Sequence, residues 1–467
     1  MSAPPRHHIR PISGWLNDPN GPLRWNGRYH VFFQHNPAGP THGDIHWGHA
    51  SSADLLTWRN ESVALAPTPG GPDELGCWSG CVVVDDGMPT AVYTGVRDGH
   101  LERGAICLAR ADPAGGDLGR FVADGPPVVE GPPPGFGATV FRDPFVFSRD
   151  GHRYAVVGAG SPTGPAVLLY TCDDLTRWEY AGVLLDHSDD LARRMAPGAG
   201  WECPQLFPIA DRWVLLLSLW TDGRPERVVA LVGDLIDGTS AGSGPLGLRF
   251  LATDGGPVDL GADFYAPAVL LEADRVLMWG WSWESNTPDA VLDSGWSGVL
   301  TLPREIDLDP NGRLAVRLAR ELPNLRGQRL AAGRWLLREH PAEVAELPTS
   351  TWVTVRCPDD AGSTRLVLRE SPEAQLSLTI DIAAGTVVLD RSGWATAPAR
   401  SGLVVGPLET SSELLIEVVI DGTILEIFVQ NRVSITERIY PQPGERRTLT
   451  VSGTDGTTLD VEAWGLG

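Results

Sequence analysis

A coarse repeat of about sixty residues is the feature that most constrains the fold. Five times in the first two thirds of the chain, an acidic or polar residue is followed by Pro or Gly and then by an apolar run. The five starts are Asp18-Pro19, Trp78-Ser79-Gly80, Asp143-Pro144, Glu202-Cys203-Pro204 and Asp263-Phe264-Tyr265-Ala266-Pro267. Their first members lie 60, 65, 59 and 61 residues apart. Near-equal spacing of this kind indicates five copies of one structural unit.

Each unit has the pattern of short β-strands. Apolar or alternating runs bounded by Gly, Pro, Asp or Asn occur at 28–34, 82–95, 145–158, 213–220 and 269–283. Four-stranded units arranged radially leave only short, protected edges, so we predict an all-β chain with a five-bladed β-propeller over residues 1–318. In that geometry the residues that open each unit meet at one end of a central channel. Distant acidic residues then form a single pocket.

The pattern changes after residue 318. Residues 319–332 are predicted to form a linker, and alternating strands follow at 352–356, 364–369, 376–382, 414–420 and 424–429. The dipeptide Asp421-Gly422 between two of these runs indicates a hairpin. We therefore predict a C-terminal β-sandwich over residues 333–467, packed beside the propeller.

Charge and composition exclude several classes of partner. The chain has 37 Lys plus Arg, all of them Arg, against 59 Asp plus Glu, and its net charge of −22 opposes binding to nucleic acid or to an anionic membrane. No run of about eighteen apolar residues occurs, residues 1–12 lack the apolar stretch of a secretory signal, and the six cysteines are sparse. These observations predict a cytoplasmic protein with a small neutral or cationic partner, and they leave its oligomeric state open.

Three carboxylates are the candidates for chemistry, namely Asp18, Asp143 and Glu202. Taken singly, each has a structural explanation, because Asn17-Asp18-Pro19-Asn20-Gly21 is also a good turn sequence. Taken together in one pocket, they provide a proton donor, a carboxylate facing an oxocarbenium-like centre and a group that holds sugar hydroxyls. Crowding of like charges should also raise at least one of their pKa values into the range useful for an acid.

Metal and thiol chemistry find less support. His46 and His49 lack a further ligand set with zinc-like spacing, so neither a metal nor another cofactor is predicted. Cys203 adjoins Glu202, but neighbouring strand residues point to opposite faces. We therefore expect Cys203 to be a packed thiol on the far side of the strand.

The ordered motifs resemble those of glycoside hydrolase family 32, which contains invertases, inulinases, levanases and related β-fructosidases. The resemblance spans essentially the whole chain. Its carriers are Trp15-Leu16-Asn17-Asp18-Pro19-Asn20-Gly21, Gln34-His35-Asn36-Pro37, Trp47-Gly48-His49-Ala50, Trp78-Ser79-Gly80, Tyr93-Thr94-Gly95, Phe141-Arg142-Asp143-Pro144, Trp201-Glu202-Cys203-Pro204 and Asp263-Phe264-Tyr265-Ala266.

The resemblance implies a retaining β-fructofuranosidase that hydrolyses sucrose or short fructo-oligosaccharides through a covalent fructosyl-enzyme. It implies that Asp18 is the nucleophile, Glu202 the general acid and base, and Asp143 a stabiliser that binds fructosyl hydroxyls. The fructosyl subsite that it implies is formed by Asn17, Gln34, Trp47, Ser79, Arg142, Asp263 and Trp281.

Two positions depart from the family pattern and leave the preferred substrate open. His42 stands where many members have Trp, and Ala268 stands where many have Gln. Two alternative functions also remain. One is a fructosyltransferase that uses the same intermediate, and the other is a non-catalytic propeller that binds fructans.

Overall fold

Strands make up most of the molecule, as the all-β prediction requires. The computed structural model describes residues 2–97, 102–221, 223–238, 247–358, 362–369, 375–392, 403–408, 413–441 and 447–467. Helical structure in these ranges is limited to the α-helices Asp190–Met195 and Pro288–Ser294 and the 3-10 helices Pro113–Gly115 and Leu322–Leu325. None of these helices has the length and apolarity needed to cross a bilayer.

Five antiparallel sheets, numbered 1 to 5 in chain order, occupy residues 14–318. Sheet 1 contains Gly14–Trp25, Arg28–Asn36, His46–Ser52, Arg59–Asn60 and the distant strand Trp296–Ser297. Sheet 2 contains Gly76–Asp85, Met88–Val96, Ala105–Ala111 and Phe121–Ala123, and sheet 3 contains Val140–Arg149, His152–Ser161, Gly164–Thr171 and Glu179–Asp186. Sheet 4 contains Gly200–Ile209, Arg212–Thr221, Arg224–Asp237 and Leu248–Pro257. Sheet 5 contains Tyr265–Leu271, Val276–Ser282, Val299–Leu300, Arg304–Leu308 and Leu314–Leu318.

The first strands of these sheets contact one another in a closed circuit. Each touches the first strand of the next sheet, and the first strand of sheet 5 touches that of sheet 1. The strand Trp296–Ser297 strengthens this last junction, because it pairs in parallel with Gly14 and Trp15 before the chain returns to sheet 5 at Val299. The segment between the second and third strands of sheet 5 is thereby hydrogen-bonded to the first strand of sheet 1.

Every first strand is interrupted by a bulge at the repeated motif. The register with the neighbouring strand shifts between Leu16 and Pro19, Trp78 and Gly80, Arg142 and Phe145, Glu202 and Gln205, and Tyr265 and Ala268. A bulge inserts an unpaired residue, bends the strand and redirects side chains that would otherwise alternate between faces. The five bulges therefore decide which motif side chains converge.

Residues 326–467 form two further six-stranded sheets. In spatial order, sheet 6 contains Arg326–Leu336, Thr458–Leu466, Ser350–Pro358, Glu413–Asp421, Ile424–Val429 and Val433–Arg438. Sheet 7 contains Ala342–Leu347, Arg447–Gly453, Ser363–Arg369, Gln375–Asp381, Thr386–Asp390 and Leu403–Pro407. The two sheets share a second apolar core that includes Val353, Leu366 and Ile427. The predicted hairpin at Asp421-Gly422 is confirmed, because Asp421 pairs with Ile424 and Gly422 has a φ of 58°.

Arg304 joins the two parts of the molecule through a fully buried ionic cluster. Its guanidinium donates to Asp259 at 2.7 Å and to Glu426 of sheet 6 at 2.6 Å. The rings of Phe264 and Phe428 lie 4.9 and 5.1 Å from the guanidinium carbon, one from each part of the chain. Removing one member of such a buried set leaves an uncompensated charge, which costs about 3–5 kcal/mol.

The amino-terminal segment contributes a second ionic contact to the same interface. The two ring nitrogens of His8 lie 2.8 Å from Asp421 and 2.9 Å from Glu426. Burial by itself lowers the pKa of His8, but the hydrogen bonds and charges of the two carboxylates outweigh it and raise the pKa to about 9. His8 is therefore an imidazolium at neutral pH, and it ties residues 7 and 8 to sheet 6.

Replacing His8 should destabilise the protein in a pH-dependent way. Because the pKa of His8 is higher in the folded protein than in the unfolded chain, its charge stabilises the fold fully below about pH 6.5, and this contribution disappears as the pH rises through about 9. We expect His8→Gln to lower the free energy of unfolding by about 3 kcal/mol at pH 6 and by much less at pH 9.5. Urea unfolding at the two pH values measures the difference.

His152→Gln provides the matched control. His152 forms an ion pair with Asp173 at 2.9 Å, but both side chains are largely exposed. We expect this variant to change stability by less than about 1 kcal/mol at either pH. An equal loss of stability at pH 6 and pH 9.5 in His8→Gln would contradict the charged state assigned to His8.

Candidate active site

Asp18 lies in the bulge of sheet 1 and is held by four donors. Its Oδ2 accepts hydrogen bonds from Ser79 Oγ at 2.7 Å and from Gln34 Nε2 at 3.0 Å, with the thiol of Cys203 at 3.6 Å. Its Oδ1 accepts from Asn17 Nδ2 at 3.1 Å. Gln34 also donates to Ser79, so the two side chains hold Asp18 as a unit. Oδ1 is the less engaged oxygen of the carboxylate.

A short chain of contacts orients Asn17 from outside the cluster. Trp15 donates its indole N–H to Asn17 Oδ1 at 2.8 Å, which directs the amide N–H₂ of Asn17 toward Asp18. The ring of Trp15 lies edge-on to that of Trp281, with ring centres 5.7 Å apart. Trp281 is thus near the cluster, and its own buried indole N–H has no hydrogen-bond partner among the described residues.

Asp143 lies in the bulge of sheet 3, with a φ of 63°. Its main-chain N–H donates to Thr94 Oγ1 at 2.8 Å, and its Oδ2 accepts from the main-chain N–H of Cys203 at 3.0 Å. Sheets 2 and 4 therefore fix Asp143 from both sides. Burial raises the pKa of Asp143 to about 6; Arg142 opposes this rise and the charge of Asp18 adds to it.

Glu202 is paired with Arg142 and with Tyr265. Arg142 Nη2 contacts Glu202 Oε1, and the hydroxyl of Tyr265 lies 2.6 Å from Glu202 Oε2. The guanidinium of Arg142 also lies over the rings of Trp78 and Trp220, 5.2 and 5.8 Å from their centres. Both oxygens of Glu202 are thus engaged by groups that can stabilise a negative charge.

Cys203 connects two of the carboxylates, which corrects the expectation for its side chain. Its Sγ lies 3.5 Å from Asp143 Oδ2 and 3.6 Å from Asp18 Oδ2, on the same side as the acids. The expectation of opposite faces assumed a regular strand, whereas Cys203 has a φ of 47° inside the bulge. Burial and the two carboxylates raise the pKa of the thiol well above its ordinary value, so it is a packed thiol as expected.

Two residues predicted for the subsite lie apart from the carboxylates. Trp47 is completely buried in a separate apolar cluster with Phe32 and Tyr93, and its indole N–H donates to the carbonyl of Trp78 at 3.1 Å. Asp263 is completely buried at the interface with sheet 6, where Oδ2 accepts from the main-chain N–H of Arg438 at 2.8 Å. Neither side chain has a described contact with the three acids.

The two departures from the family pattern occupy different environments. His42 is exposed at the rim, where its ring lies edge-on to Trp78 and Trp15, with ring centres 5.6 and 6.3 Å away. Ala268 is buried and pairs with Trp279 just after the bulge of sheet 5. His42 is therefore accessible to a ligand at the mouth of the cluster, whereas Ala268 is part of the strand framework.

Several site residues were not predicted from the sequence. Tyr265 follows Asp263 in a quoted motif, yet only the structure shows that its hydroxyl reaches Glu202. The others are Trp15, Trp78, Thr94, Glu102 and Trp220. Most belong to or adjoin the conspicuous motifs, so proximity to a motif was the available signal.

Within the described ranges, no group of three or more His, Cys, Asp or Glu side chains is arranged to hold a metal ion.

Family models and known proteins match this chain along almost its whole length. The model of the glycosyl hydrolases family 32 N-terminal domain matches residues 8–317, and that of the family 32 C-terminal domain matches residues 321–465. A raffinose invertase of Escherichia coli is 35% identical over 99% of this chain and 95% of its own length. A sucrose-6-phosphate hydrolase of Escherichia coli is 34% identical over 97% of this chain and 93% of its own length.

Solved structures show the same likeness along the whole chain. A mutant β-fructofuranosidase of Bombyx mori in complex with sucrose superposes with a TM-score of 0.82 and 25% identity, covering 99% of this chain and 93% of that one. A sucrose-6-phosphate hydrolase of Lactobacillus gasseri gives a TM-score of 0.82 at 22% identity, covering 99% and 93%. The chain therefore belongs to glycosyl hydrolase family 32.

Proposed function

We propose that the protein is a retaining β-fructofuranosidase that hydrolyses the terminal fructosyl bond of sucrose or short fructo-oligosaccharides. The observation that carries the proposal is the convergence of Asp18, Asp143 and Glu202 in one buried cluster, where Cys203 touches the first two acids and Arg142 contacts the third. Retaining glycosidases need two carboxylates beside the scissile bond. The invertase and sucrose-6-phosphate hydrolase named above support the same activity.

We propose that the architecture is a five-bladed β-propeller followed by a β-sandwich. The closed circuit of first strands and the return of Trp296–Ser297 to sheet 1 support five radially arranged blades. The common core of sheets 6 and 7 supports a sandwich. The corresponding domains are residues 1–318 and 333–467 with a linker at 319–332, although Arg326–Leu336 already pairs with the last strand, Thr458–Leu466.

Asp18 is proposed as the nucleophile because its carboxylate is held by several donors, with one oxygen less engaged by hydrogen bonds than the other. Ser79 and Gln34 fix Oδ2, while Oδ1 has Asn17 as its described donor. These donors orient the carboxylate, which is the group that attacks. Asn17, Gln34 and Ser79 therefore act as positioning residues for Asp18.

Glu202 is proposed as the general acid and, later, the general base. In the first half of the reaction Asp18 attacks the anomeric carbon, and the bond to the leaving oxygen breaks as Glu202 gives that oxygen its proton. In the second half the ionised Glu202 takes a proton from water, whose oxygen attacks the same carbon and releases Asp18. Arg142 and Tyr265 stabilise the negative charge that Glu202 carries between the two halves.

Asp143 and the remaining subsite residues are proposed to recognise the fructosyl group. The buried carbonyl oxygen of Gln34 and the buried indole N–H of Trp281 lack partners in the part of the chain that the structure describes, as expected for groups that bind sugar hydroxyls. Trp47 and Asp263 are proposed to act from behind the subsite. Trp47 supports the main chain next to Ser79, and Asp263 anchors the strand that presents Tyr265.

The substrate is proposed to be a small sugar. A cytoplasmic location, which the sparse cysteines favour, matches imported sucrose or short oligosaccharides better than extracellular polymers, and secretion of the native protein would contradict it.

A fructosyltransferase would use the same intermediate with a sugar in place of water. Mostly free fructose at high sucrose concentration supports hydrolysis, whereas oligosaccharide products would support transfer. A fructan-binding protein without activity would bind these sugars and release no fructose.

Substitution of the two proposed catalytic carboxylates should abolish turnover in distinguishable ways. We expect Asp18→Asn to reduce kcat on sucrose by more than about 10³-fold, because no covalent intermediate can form. We expect Glu202→Gln to reduce kcat by about 10²–10⁴-fold, because the leaving oxygen receives no proton. With a fructosyl fluoride, whose leaving group needs no proton, Glu202→Gln should recover much of the first step, and Asp18→Asn should not.

Asp190→Asn, in an exposed surface helix, serves as the matched control and should retain full activity. Initial rates on sucrose and burst kinetics on the fluoride measure the effects. Unchanged turnover on sucrose in either active-site variant would refute its assigned role.

Asp143→Asn should lower the activity on sucrose and raise the stability of the fold. Since the pKa of Asp143 is raised to about 6, ionisation of this side chain above pH 6 destabilises the folded state, and the cost vanishes below about pH 4. We expect Asp143→Asn to raise the free energy of unfolding by up to about 3 kcal/mol at pH 7.5 and to leave it nearly unchanged at pH 4. Urea unfolding at both pH values, with sucrose hydrolysis at pH 6, tests this. A variant less stable than the parent at pH 7.5 would contradict the prediction.

A further inference from the structure

Glu102 places a fourth carboxylate against the catalytic cluster. It lies just before the strand Ala105–Ala111 of sheet 2, and its Oε2 is 2.9 Å from Arg142 Nη1. The side chain as a whole is 43% exposed, but Oε2 itself is buried and makes no well-aligned hydrogen bond to any residue in the described ranges. The contact is therefore a close charge–charge contact at the edge of the site.

The main chain holds Glu102 in this position. The N–H of Phe141 donates to the carbonyl of Glu102 at 2.8 Å, and the N–H of Gly104 donates to the carbonyl of Phe141 at 3.0 Å. Phe141 immediately precedes Arg142, so the segment that carries Glu102 is bonded to the strand that carries its partner. The main-chain positions of both partners of the ion pair are therefore fixed relative to each other.

Arg142 is consequently shared between carboxylates on opposite sides. One terminal nitrogen contacts Glu202, the other contacts Glu102, and Nε lies 3.9 Å from Asp143. The rings of Trp78 and Trp220 cover the guanidinium. One cation thus faces three carboxyl groups, and the negative charge of Glu102 partly offsets the potential by which Arg142 stabilises the anionic form of Glu202.

We propose that Glu102 is a positioning residue that offsets the pull of Arg142 on Glu202 and so keeps Glu202 available as a proton donor. The proposal rests on the function assigned to Glu202 above. Without the charge of Glu102, Arg142 would stabilise ionised Glu202 more strongly, and the general acid would lose its proton at a lower pH. The active enzyme would then be lost earlier as the pH rises.

Other charged and titratable groups face the same carboxylate and must be weighed with Glu102. Tyr265 of sheet 5 donates to Glu202, and it remains protonated because burial raises its pKa far above its ordinary value. The remaining groups around the cluster are Asp18 of sheet 1, His42 of the adjoining loop, Asp143 of sheet 3 and Cys203 of sheet 4. Glu102 differs from these groups because it contacts Arg142 directly and its side chain is partly exposed to solvent. It can therefore be replaced without disturbing the buried core.

The experiment is a pH profile of kcat/KM for sucrose in Glu102→Gln. We expect the alkaline limb to move to lower pH by about 0.5 to 1 unit, the range for one partly screened charge across a shared cation. KM near the pH optimum should stay within about twofold, because Glu102 is not assigned a contact with the sugar. Glu102→Asp retains the charge and should restore most of the shift.

Glu179→Gln is the matched control, because it removes the same charge from an exposed outer strand of sheet 3. Its profile should superimpose on that of the parent. Profiles of Glu102→Gln and the parent that coincide would overturn the proposal, and so would a several-fold rise in KM with unmoved limbs, which would indicate a sugar contact instead. A parent protein that releases no fructose would refute the proposed function itself, which is a distinguishable result.

Discussion

The five bulged first strands are the constraint on which the active site depends. A regular strand would direct neighbouring side chains to opposite faces. At the repeated motifs the register slips, and Asp143, Cys203 and Ala266 adopt φ values of 63°, 47° and 45°. Such conformations cost about 1 kcal/mol or more each and persist only where the surroundings enforce them. Here the paired second strands and the neighbouring first strands provide that enforcement, and the acids converge as a result.

The convergence brings three buried carboxyl groups close together, where their negative charges would repel one another. Few donors offset this repulsion. Asp18, Asp143 and Glu202 are all nearly buried, and Arg142 is the cation that contacts two of them. Ser79 and Gln34 stabilise Asp18 through hydrogen bonds, whereas burial raises the pKa of Asp143 to about 6. Different partners thus give three similar groups different chemical properties, which a two-step glycosidase mechanism requires.

The sequence predicted this architecture as far as periodicity and motif order allow. Repeat spacing correctly indicated an all-β chain with five similar units, and it placed the motif acids in one pocket. It did not predict the bulge register, because one inserted residue leaves hardly any trace in composition or spacing. The register differs between the motifs: Glu202 precedes the bulge of sheet 4 and pairs with Ser218, whereas Asp143 lies inside the bulge of sheet 3. The side chain of Cys203 was misplaced for the same reason.

Two further differences between the sequence-based prediction and the structure arise because the residues are buried by parts of the chain that are distant in sequence. Asp263 and Trp47 belong to conspicuous motifs, yet both are completely buried away from the acids, one against sheet 6 and the other in a separate core. Periodicity cannot distinguish a residue that touches a ligand from one that supports it, because both are polar or aromatic and both are buried.

Asp263 and Tyr265 connect the interface with sheet 6 to the site. Asp263 accepts the main-chain N–H of Arg438, and two residues later Tyr265 reaches Glu202. Tyr265 also stacks on Trp283, whose indole N–H donates to the carbonyl of Ala262. The buried cluster around Arg304 holds the same two parts of the chain together nearby. Because the strand that presents Tyr265 is anchored in this way, the second part of the chain helps to fix a donor to Glu202 that it does not itself supply.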